Sequence, residues 1–293
     1  TITAAMISSG LQLGTIDAQY NTLLGDTAGD SFSGTDALKN TLIGYQAGTA
    51  ITTGDNNVGV GYRSLKATTT AANNIGLGSN TLQANTTGAS NIAIGLQALN
   101  ANTTGDDNIA IGLTALHDNT TANHNVAIGN NTLEKNTTGA QNTAIGKGAL
   151  ETNTTANNNT AIGYLALQLN TTGAGNTAIG RDALLANTDA DYNTAIGYNS
   201  LTANTTGARN TAIGNNALLT NTTASYNTAI GDNALELNTT GTRNTAVGAL
   251  ALETNTTGND NLAIGYEALE LNTTGTQNIA VGNYALDANT TGG

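Results

Sequence analysis

The chain of 293 residues has no cysteine, no proline and no tryptophan, a single phenylalanine and a single methionine, and charged residues make up only 10% of it. Without cysteine there is neither a disulfide framework nor a thiolate metal site, and the redox compartment is left open. Only eight residues are basic and the formal net charge is −12. That argues against nucleic acid or an anionic membrane as partner, because both are held by clustered Lys and Arg. No run approaches the roughly 18–20 apolar residues of a spanning helix, so no membrane insertion is expected. The first residues lack the basic and apolar regions of a signal peptide, so any export signal is expected outside this sequence.

Asn, Thr, Ala and Gly fill the chain instead, in a fixed order. From Asn40 onward fifteen 17-residue units follow without insertion or deletion, each opening on an asparagine (Asn40, Asn57, Asn74 and so on to Asn278). The cleanest form reads N-T-A-I-G-x-x-A-L-x-x-N-T-T-G-x-x. Composition alone would suit low-complexity disorder, but regularly placed Ile and Leu argue against it. A unit this short cannot bury a hydrophobic face alone, so neighbours must stack as a solenoid.

Unit positions 2 and 4 are largely β-branched, as in Ile109 and Ile111, and predict a strand. Alternation then places positions 2 and 4 toward the core, with Ala110 and Gly112 pointing out. Leucine at position 9, from Leu65 to Leu286, supplies a second core residue, and glycine at position 5, from Gly44 to Gly282, marks a turn or a close approach. The Asn-Thr-Thr-Gly or Asn-Thr-Thr-Ala corner turns the chain back, and the A-L-x-x-N stretch is too short to nucleate a helix. The expected fold is all-β, a parallel β-solenoid (β-roll or β-helix) of 17-residue coils. At about 4.8 Å per coil, the repeats would make a rod on the order of 70 Å long.

Three segments are expected. Residues 1–20, with Ile2, Met6, Ile7, Leu11 and Leu13, fall outside the period and read as a capping or connecting segment. Residues 21–39 form a degenerate first coil, lengthened by two residues near Ser31 to Gly34, in which Phe32 is read as a plug for the end of the core. Residues 40–293 are the fifteen-coil solenoid, whose last three residues stop mid-unit and point to a longer protein or to another chain docking there.

Stacking places asparagines at position 12, Asn85, Asn102, Asn119 and onward to Asn289, above one another as an amide ladder. Twelve of these thirteen, all but Asn187, sit in N-x-T glycosylation sequons. Glycans cannot be packed about 4.8 Å apart, so the ladder is the favoured reading. The small residues at position 3, such as Ala144, Ala161, Ala178 and Ala195, would form an outward strip, the expected contact for self-association as a homotrimer. Position 15 alternates Gly and Ala from Gly105 to Gly241 while position 17 runs Tyr192, Arg209, Tyr226, Arg243, a 34-residue super-period. Stacked, those four side chains would alternate as a cation–π column, either stabilising the surface or offering a carbohydrate-contact stripe.

Chemistry is sparse. His117 and His124 fall on variable positions and do not suggest a shared metal site. The position-10 carboxylates (Glu134, Glu151, Glu236, Glu253, Glu270, Asp287) read as a solvated face. The G-x-G pairs at Gly59/Gly61 and Gly76/Gly78 lack the third glycine and helix of a dinucleotide fold. No catalytic, cofactor-binding or metal residue is expected, and the chain reads as a non-enzyme.

Two stretches, N-T-A-I-G-Y-L-A-L-Q-L-N-T-T-G from Asn159 and the looser N-T-L-I-G-Y-Q-A-G at residues 40–48, carry a resemblance to known families. The chain resembles the A-I-G-x-x-A repeats in the β-roll heads of trimeric autotransporter adhesins and, more closely, the N-T-A-I-G-x-x-A-L repeats of bacteriophage tail-fibre and related surface proteins. The resemblance covers residues 21–293. It implies a homotrimeric fibre segment, extracellular, on a cell surface or on a virion, that displays or forms a receptor-binding surface for a host glycan or protein. An ice-binding solenoid is the alternative, because threonine columns such as Thr143, Thr160, Thr177 and Thr194 resemble antifreeze arrays. The inward orientation expected at position 2 counts against it. A polysaccharide depolymerase would need paired carboxylates in a groove, and none stands out.

Overall fold

The structure is a computed structural model that describes residues 15–16, 19–32 and 36–292. Ile2, Met6, Ile7, Leu11, Leu13 and residues 33–34 of the first-coil insertion lie outside them. The described chain is all-β and contains no helix. It divides into two compact units, Thr1–Ala140 and Gln141–Gly293.

In the first unit β1 (Thr15–Ile16) pairs antiparallel with β2 (Thr22–Leu24). From β2 the strands stack in parallel: β3 (Thr41–Ile43), β4 (Val58–Val60), β5 (Ile75–Leu77), β6 (Ile92–Ile94), β7 (Ile109–Ile111) and β8 (Val126–Ile128). The second unit stacks β9 (Thr143–Ile145), β10 (Thr160–Ile162), β11 (Thr177–Ile179), β12 (Thr194–Ile196), β13 (Thr211–Ile213), β14 (Thr228–Ile230), β15 (Thr245–Val247), β16 (Leu262–Ile264) and β17 (Ile279–Val281). Register is fixed by the period: Ala161 faces Ala178, one unit on. Bonds between coils run around the whole perimeter, as in Thr160 N–H to Asn176 O (2.8 Å), Leu167 N–H to Ala183 O (2.9 Å) and Tyr192 N–H to Ala174 O (3.0 Å). Each unit is therefore a parallel β-solenoid.

The strand faces are the reverse of the expectation. Position 3 is the buried one: Ala110, Ala127, Ala144, Ala161, Ala178 and Ala195 are fully enclosed, whereas positions 2 and 4 on either side are half-exposed or exposed. Space decides this. Leu116, Leu167 and the other position-9 leucines from Leu65 to Leu269 fill the interior from the opposite wall, as expected, and leave room for only a methyl group at position 3, whereas Leu286 in the last coil is 52% exposed. Even at Gly59 an added Cβ would lie 3.1 Å from Leu42 Cδ2 and 3.2 Å from Leu65 Cδ1. The two coils that carry leucine at position 3, Leu23 and Leu42, carry glycine at position 9, Gly29 and Gly48. A Cβ on Gly48 would come 2.6 Å from Leu42 Cδ1, so one leucine is traded across the core for another. Phe32 is half-buried, its ring 3.1 Å from where a Gly29 Cβ would be.

Small residues at position 8, such as Ala115 and Ala166, and two asparagine positions supply most of the rest of the interior. The position-12 ladder is present and buried, with Asn102 Nδ2 donating to Asn85 Oδ1 (2.8 Å) in the first unit and Asn187 Nδ2 to Asn170 Oδ1 (2.8 Å) in the second. Burial rules out glycosylation of Asn85, Asn102 and their fully enclosed counterparts through Asn272. A second ladder runs through position 1, where Asn176 N–H donates to Asn159 Oδ1 (2.8 Å). Both amides also close their own coil on the position-15 carbonyl: Asn193 and Asn204 donate to Gly207 O at 2.8 and 2.9 Å. This satisfies the buried polar groups that so thin a core cannot avoid.

Sharp corners come from left-handed residues at positions 7, 9 and 17, for example Leu165, Leu167 and Arg209 with φ of 54°, 54° and 59°. At Leu167 this conformation costs about 1–2 kcal/mol, which its complete burial, about 1.5–3 kcal/mol, offsets. Glycine at position 5 is required by the stacking itself. Gly163 has φ +142°, and a Cβ there would lie 2.6 Å from the Gly180 carbonyl carbon and closer still to its oxygen.

Candidate contact surfaces

With the interior occupied, chemistry is confined to what each unit presents outward. The first surface is the strand face. In residues 141–293 position 2 is threonine from Thr143 to Thr245 and position 4 is isoleucine or valine throughout, so parallel stacking builds adjoining hydroxyl and aliphatic columns. Ile145, Ile230 and Ile264 expose more than a third of their surface. In residues 1–140 position 2 is Thr22 and Thr41 in β2 and β3 and then Val58, Ile75, Ile92, Ile109 and Val126, so the face is apolar from β4 to β8. The alanines of position 3 take no part in any outward surface. The orientation that counted against ice binding is likewise overturned, since the threonines of position 2 point out.

The threonines of the Asn-Thr-Thr corner differ from one another. At position 13 the hydroxyl donates to the next coil's backbone, as in Thr171 Oγ1 to Thr188 O (2.9 Å), so that column is tied into the stack. Position 14, for example Thr172 and Thr206, is exposed.

The second surface contains the tyrosines and arginines singled out by the super-period. Arg209 lies between two rings, its guanidinium carbon 5.9 Å from the Tyr192 centroid and 5.7 Å from that of Tyr226, and its Nη1 donates to Tyr226 Oη at 3.4 Å. The expected four-member alternation stops there. Arg243 turns to the next coil and forms a fork on Asp260, Nε to Oδ1 at 2.6 Å and Nη2 to Oδ2 at 2.9 Å. Hydrogen bonding from that guanidinium holds the Asp260 carboxyl below its ordinary range. The sequence reading missed the matching sandwich at position 6, where Arg181 lies 5.7 Å from the Tyr164 centroid and 5.6 Å from that of Tyr198. Its signal was the same alternation, Tyr164, Arg181, Tyr198, at 17-residue spacing. In residues 1–140, Tyr45 and Tyr62 stack with centroids 5.7 Å apart and Arg63 covers Tyr62 at 4.8 Å.

The third surface is the position-10 side. Burial and the charges of Glu236, Glu270 and Glu267 push the Glu253 carboxyl up, and Glu270 is raised by burial and by Glu267 and Asp287. Nearby, the Glu267 carboxylate accepts from the Tyr266 hydroxyl and pushes that phenol up to about 12. In the other unit His117 Nδ1 lies 2.6 Å from Asp118 Oδ1, and Lys135 reaches Asp118 and Glu134. Burial works to raise Asp118, but its hydrogen bond with His117 and the Lys135 charge outweigh that and lower it. His124 pairs with Asp107 at 3.7 Å. Among the described residues no group of three or more His, Asp or Glu side chains could hold a metal ion, and no helix is long and apolar enough to cross a membrane.

No known protein family matches the chain, and no curated protein is detectably similar to it.

Proposed function

We propose that the chain is a structural fibre segment of a surface or virion appendage, of the tail-fibre or adhesin-head kind, working outside the cell and displaying a receptor-binding surface. In this reading copies associate side by side, as a homotrimer, through the strand face and not through the buried alanines. The observation that carries it is the unbroken column of half-exposed or exposed Ile, Val and Leu at position 4 through each unit, since contiguous apolar strips on soluble proteins mark contact sites. The interior supports a passive scaffold: among the described residues its buried polar side chains are Asn, Ser and Thr, and its amides and carbonyls are committed to one another. The chain acts without a cofactor, and its partners are copies of itself and a glycan or protein on a host surface. Sedimentation and native mass measurement test the reading. The chain should run as a trimer, and Ile162→Glu, Ile179→Glu and Ile196→Glu together should release folded monomers; an unmodified chain that is monomeric at micromolar concentration overturns it.

Ice binding is favoured by one observation, the outward Thr160 to Thr245 column at a constant coil spacing in residues 141–293. The two readings compete for one face. Ice binding needs it free in a monomer and predicts thermal hysteresis that Thr194→Leu with Thr211→Leu abolishes, whereas a trimer that covers the face shows none.

A further inference from the structure

We propose that the two Tyr–Arg–Tyr sandwiches of residues 141–293 form a contact patch for an anionic glycan, one carrying carboxylate or sulfate groups. The inference rests on the receptor-display reading and names the chemistry displayed. It begins from charge. This unit has four cationic side chains, Lys147, Arg181, Arg209 and Arg243, and all of them stand at position 6 or position 17, the two flanks of the strand face. Five of its carboxylates, Glu151, Glu236, Glu253, Glu270 and Asp287, stand at position 10 on another side of the coil, while Asp182, Asp191, Asp232, Asp260 and Glu267 stand at positions 6, 7, 16 or 17 among or beside the cations. A chain with a net charge of −12 thus gathers its cations beside one face.

Geometry then singles out Arg209. Arg181 is engaged by Asp182 (Nε to Oδ2, 3.1 Å) and Arg243 by Asp260, whereas Arg209 has no carboxylate within ion-pair distance among the described residues. The nearby Asp191 is committed to the Ala174 N–H at 2.7 Å. The exposed Arg209 guanidinium sits between two rings, which restricts its rotamers, and beyond the Nη1 contact with Tyr226 Oη (3.4 Å) its N–H groups have no protein acceptor among the described residues. That is the preorganised fork that carboxylate and sulfate oxygens accept from in pairs.

The rings complete the patch. Tyr192 and Tyr226 are 61% and 56% exposed. Tyr192 lies across Gly175, where any Cβ would meet its ring carbon at 2.8 Å, so the glycine in that column makes room for it. Because Arg243 has swung to Asp260, the far side of Tyr226 carries no guanidinium and offers an apolar face to sugar C–H groups beside the charged fork. Tyr164, Arg181 and Tyr198 repeat the arrangement on the opposite flank of β10, β11 and β12. Residues 193–197 between Tyr192 and Tyr198 belong to the strand face that the fibre reading covers with another copy, so each sandwich takes the glycan on its own flank.

The test is affinity electrophoresis of the full chain through gels containing polygalacturonate, dextran sulfate or neutral dextran. At low salt the chain should be retarded by polygalacturonate, by dextran sulfate or by both, with the difference reporting which anion is preferred, and neutral dextran should leave it unretarded. Arg209→Lys keeps the charge but loses the fork, and should weaken the retardation at least about tenfold, the loss of one charge-assisted hydrogen bond, with its melting temperature unchanged. No retardation by either polyanion, equal retardation by neutral dextran, or full binding by the Arg209→Lys, Arg181→Lys double variant overturns the proposal. Sedimentation of the same samples separates the outcomes: a trimer that fails to bind removes only this inference, and a monomer that binds removes only the fibre reading.

Discussion

Replacing one rung of the position-12 ladder tests the polar interior directly. Asn204 is fully buried, its Nδ2 donates to Asn187 Oδ1 (3.1 Å) and to Gly207 O (2.9 Å), and its Oδ1 accepts from Asn221 Nδ2 (3.0 Å). In Asn204→Ala the three bonds do not all leave orphans. Gly207 O still accepts from Asn193 Nδ2 at 2.8 Å, and Asn221 Nδ2 still donates to Ala224 O at 3.0 Å. What remains is the Asn187 carbonyl oxygen and one Asn221 N–H, two buried groups stripped of partners at about 1–3 kcal/mol each, so the loss is about 4 kcal/mol. For a unit of this size that lowers the melting temperature by about 8–16 °C. The control is Thr206→Ala, two residues away on an exposed side chain, which should stay within about 0.5 kcal/mol. Thermal and urea melts of both variants decide it, and equal midpoints would refute the account of the ladder. Asn204→Asp adds a signature: a protonated carboxyl can still donate and an ionised one cannot. Its folded pKa is therefore raised, and its stability is retained in acid and lost as pH rises.

The strand orientation predicts that Ala161→Asp abolishes cooperative folding, since an unpaired carboxylate in a dry core costs several kcal/mol, while Ile162→Asp leaves the chain folded; indistinguishable circular dichroism melts would contradict it. The acidic column predicts a pH dependence of opposite sign to ordinary acid denaturation. Burial and the neighbouring glutamates raise Glu253 above its ordinary 4.5 in the folded chain, so the folded state holds that proton more tightly. This contribution is greatest below the unfolded value and is lost as pH rises through the folded one. Glu253→Gln should thus stabilise the protein at neutral pH by less than about 1 kcal/mol and do little near pH 3; a variant that melts earlier at pH 7 would show the column to be favourable.

Much of the architecture is written in the period. An uninterrupted 17-residue spacing with β-branched residues beside a recurrent glycine dictates parallel coils in register, and the position-12 ladder follows because stacking equal residues sets each amide N–H against the carbonyl oxygen of the neighbouring rung. Alternation alone could not say which strand face was inside, and the usual preference for burying the larger residue gave the wrong answer. The deciding signal was nevertheless present. Leu42 with Gly48, against Ala161 with Leu167, shows positions 3 and 9 exchanging one leucine, which is intelligible only if they face each other across one core. Asn at position 1 passed as the start of the motif, because a buried polar residue has no hydrophobic signature. The position-17 column was legible in Tyr192, Arg209 and Tyr226, but the departure of Arg243 depended on Asp260 one coil further on, a competition between two partners that spacing does not rank.

Repetition also says where a function can reside. A stack in which each coil repeats its neighbour's interior makes every rung equivalent, so nothing specific can be recognised at positions 1, 3, 5, 9 or 12 without breaking the stack. Variation is tolerated only where side chains leave the coil, chiefly at positions 6, 7, 10, 11, 16 and 17. There the chain is not random: residues 159–243 impose a 34-residue rhythm on a 17-residue scaffold, and both sandwiches, with Arg181 and Arg209 at their centres, fall inside it. A rhythm longer than the coil cannot come from the requirements of stacking, which are met afresh at every turn. It therefore reflects either the pairing of side chains between successive coils or the spacing of something outside the protein. Arg209 separates these causes, because pairing alone would be served equally well by an arginine neutralised by its neighbours, as Arg243 is by Asp260, and Arg209, though it touches Tyr226 Oη, has no carboxylate beside it among the described residues.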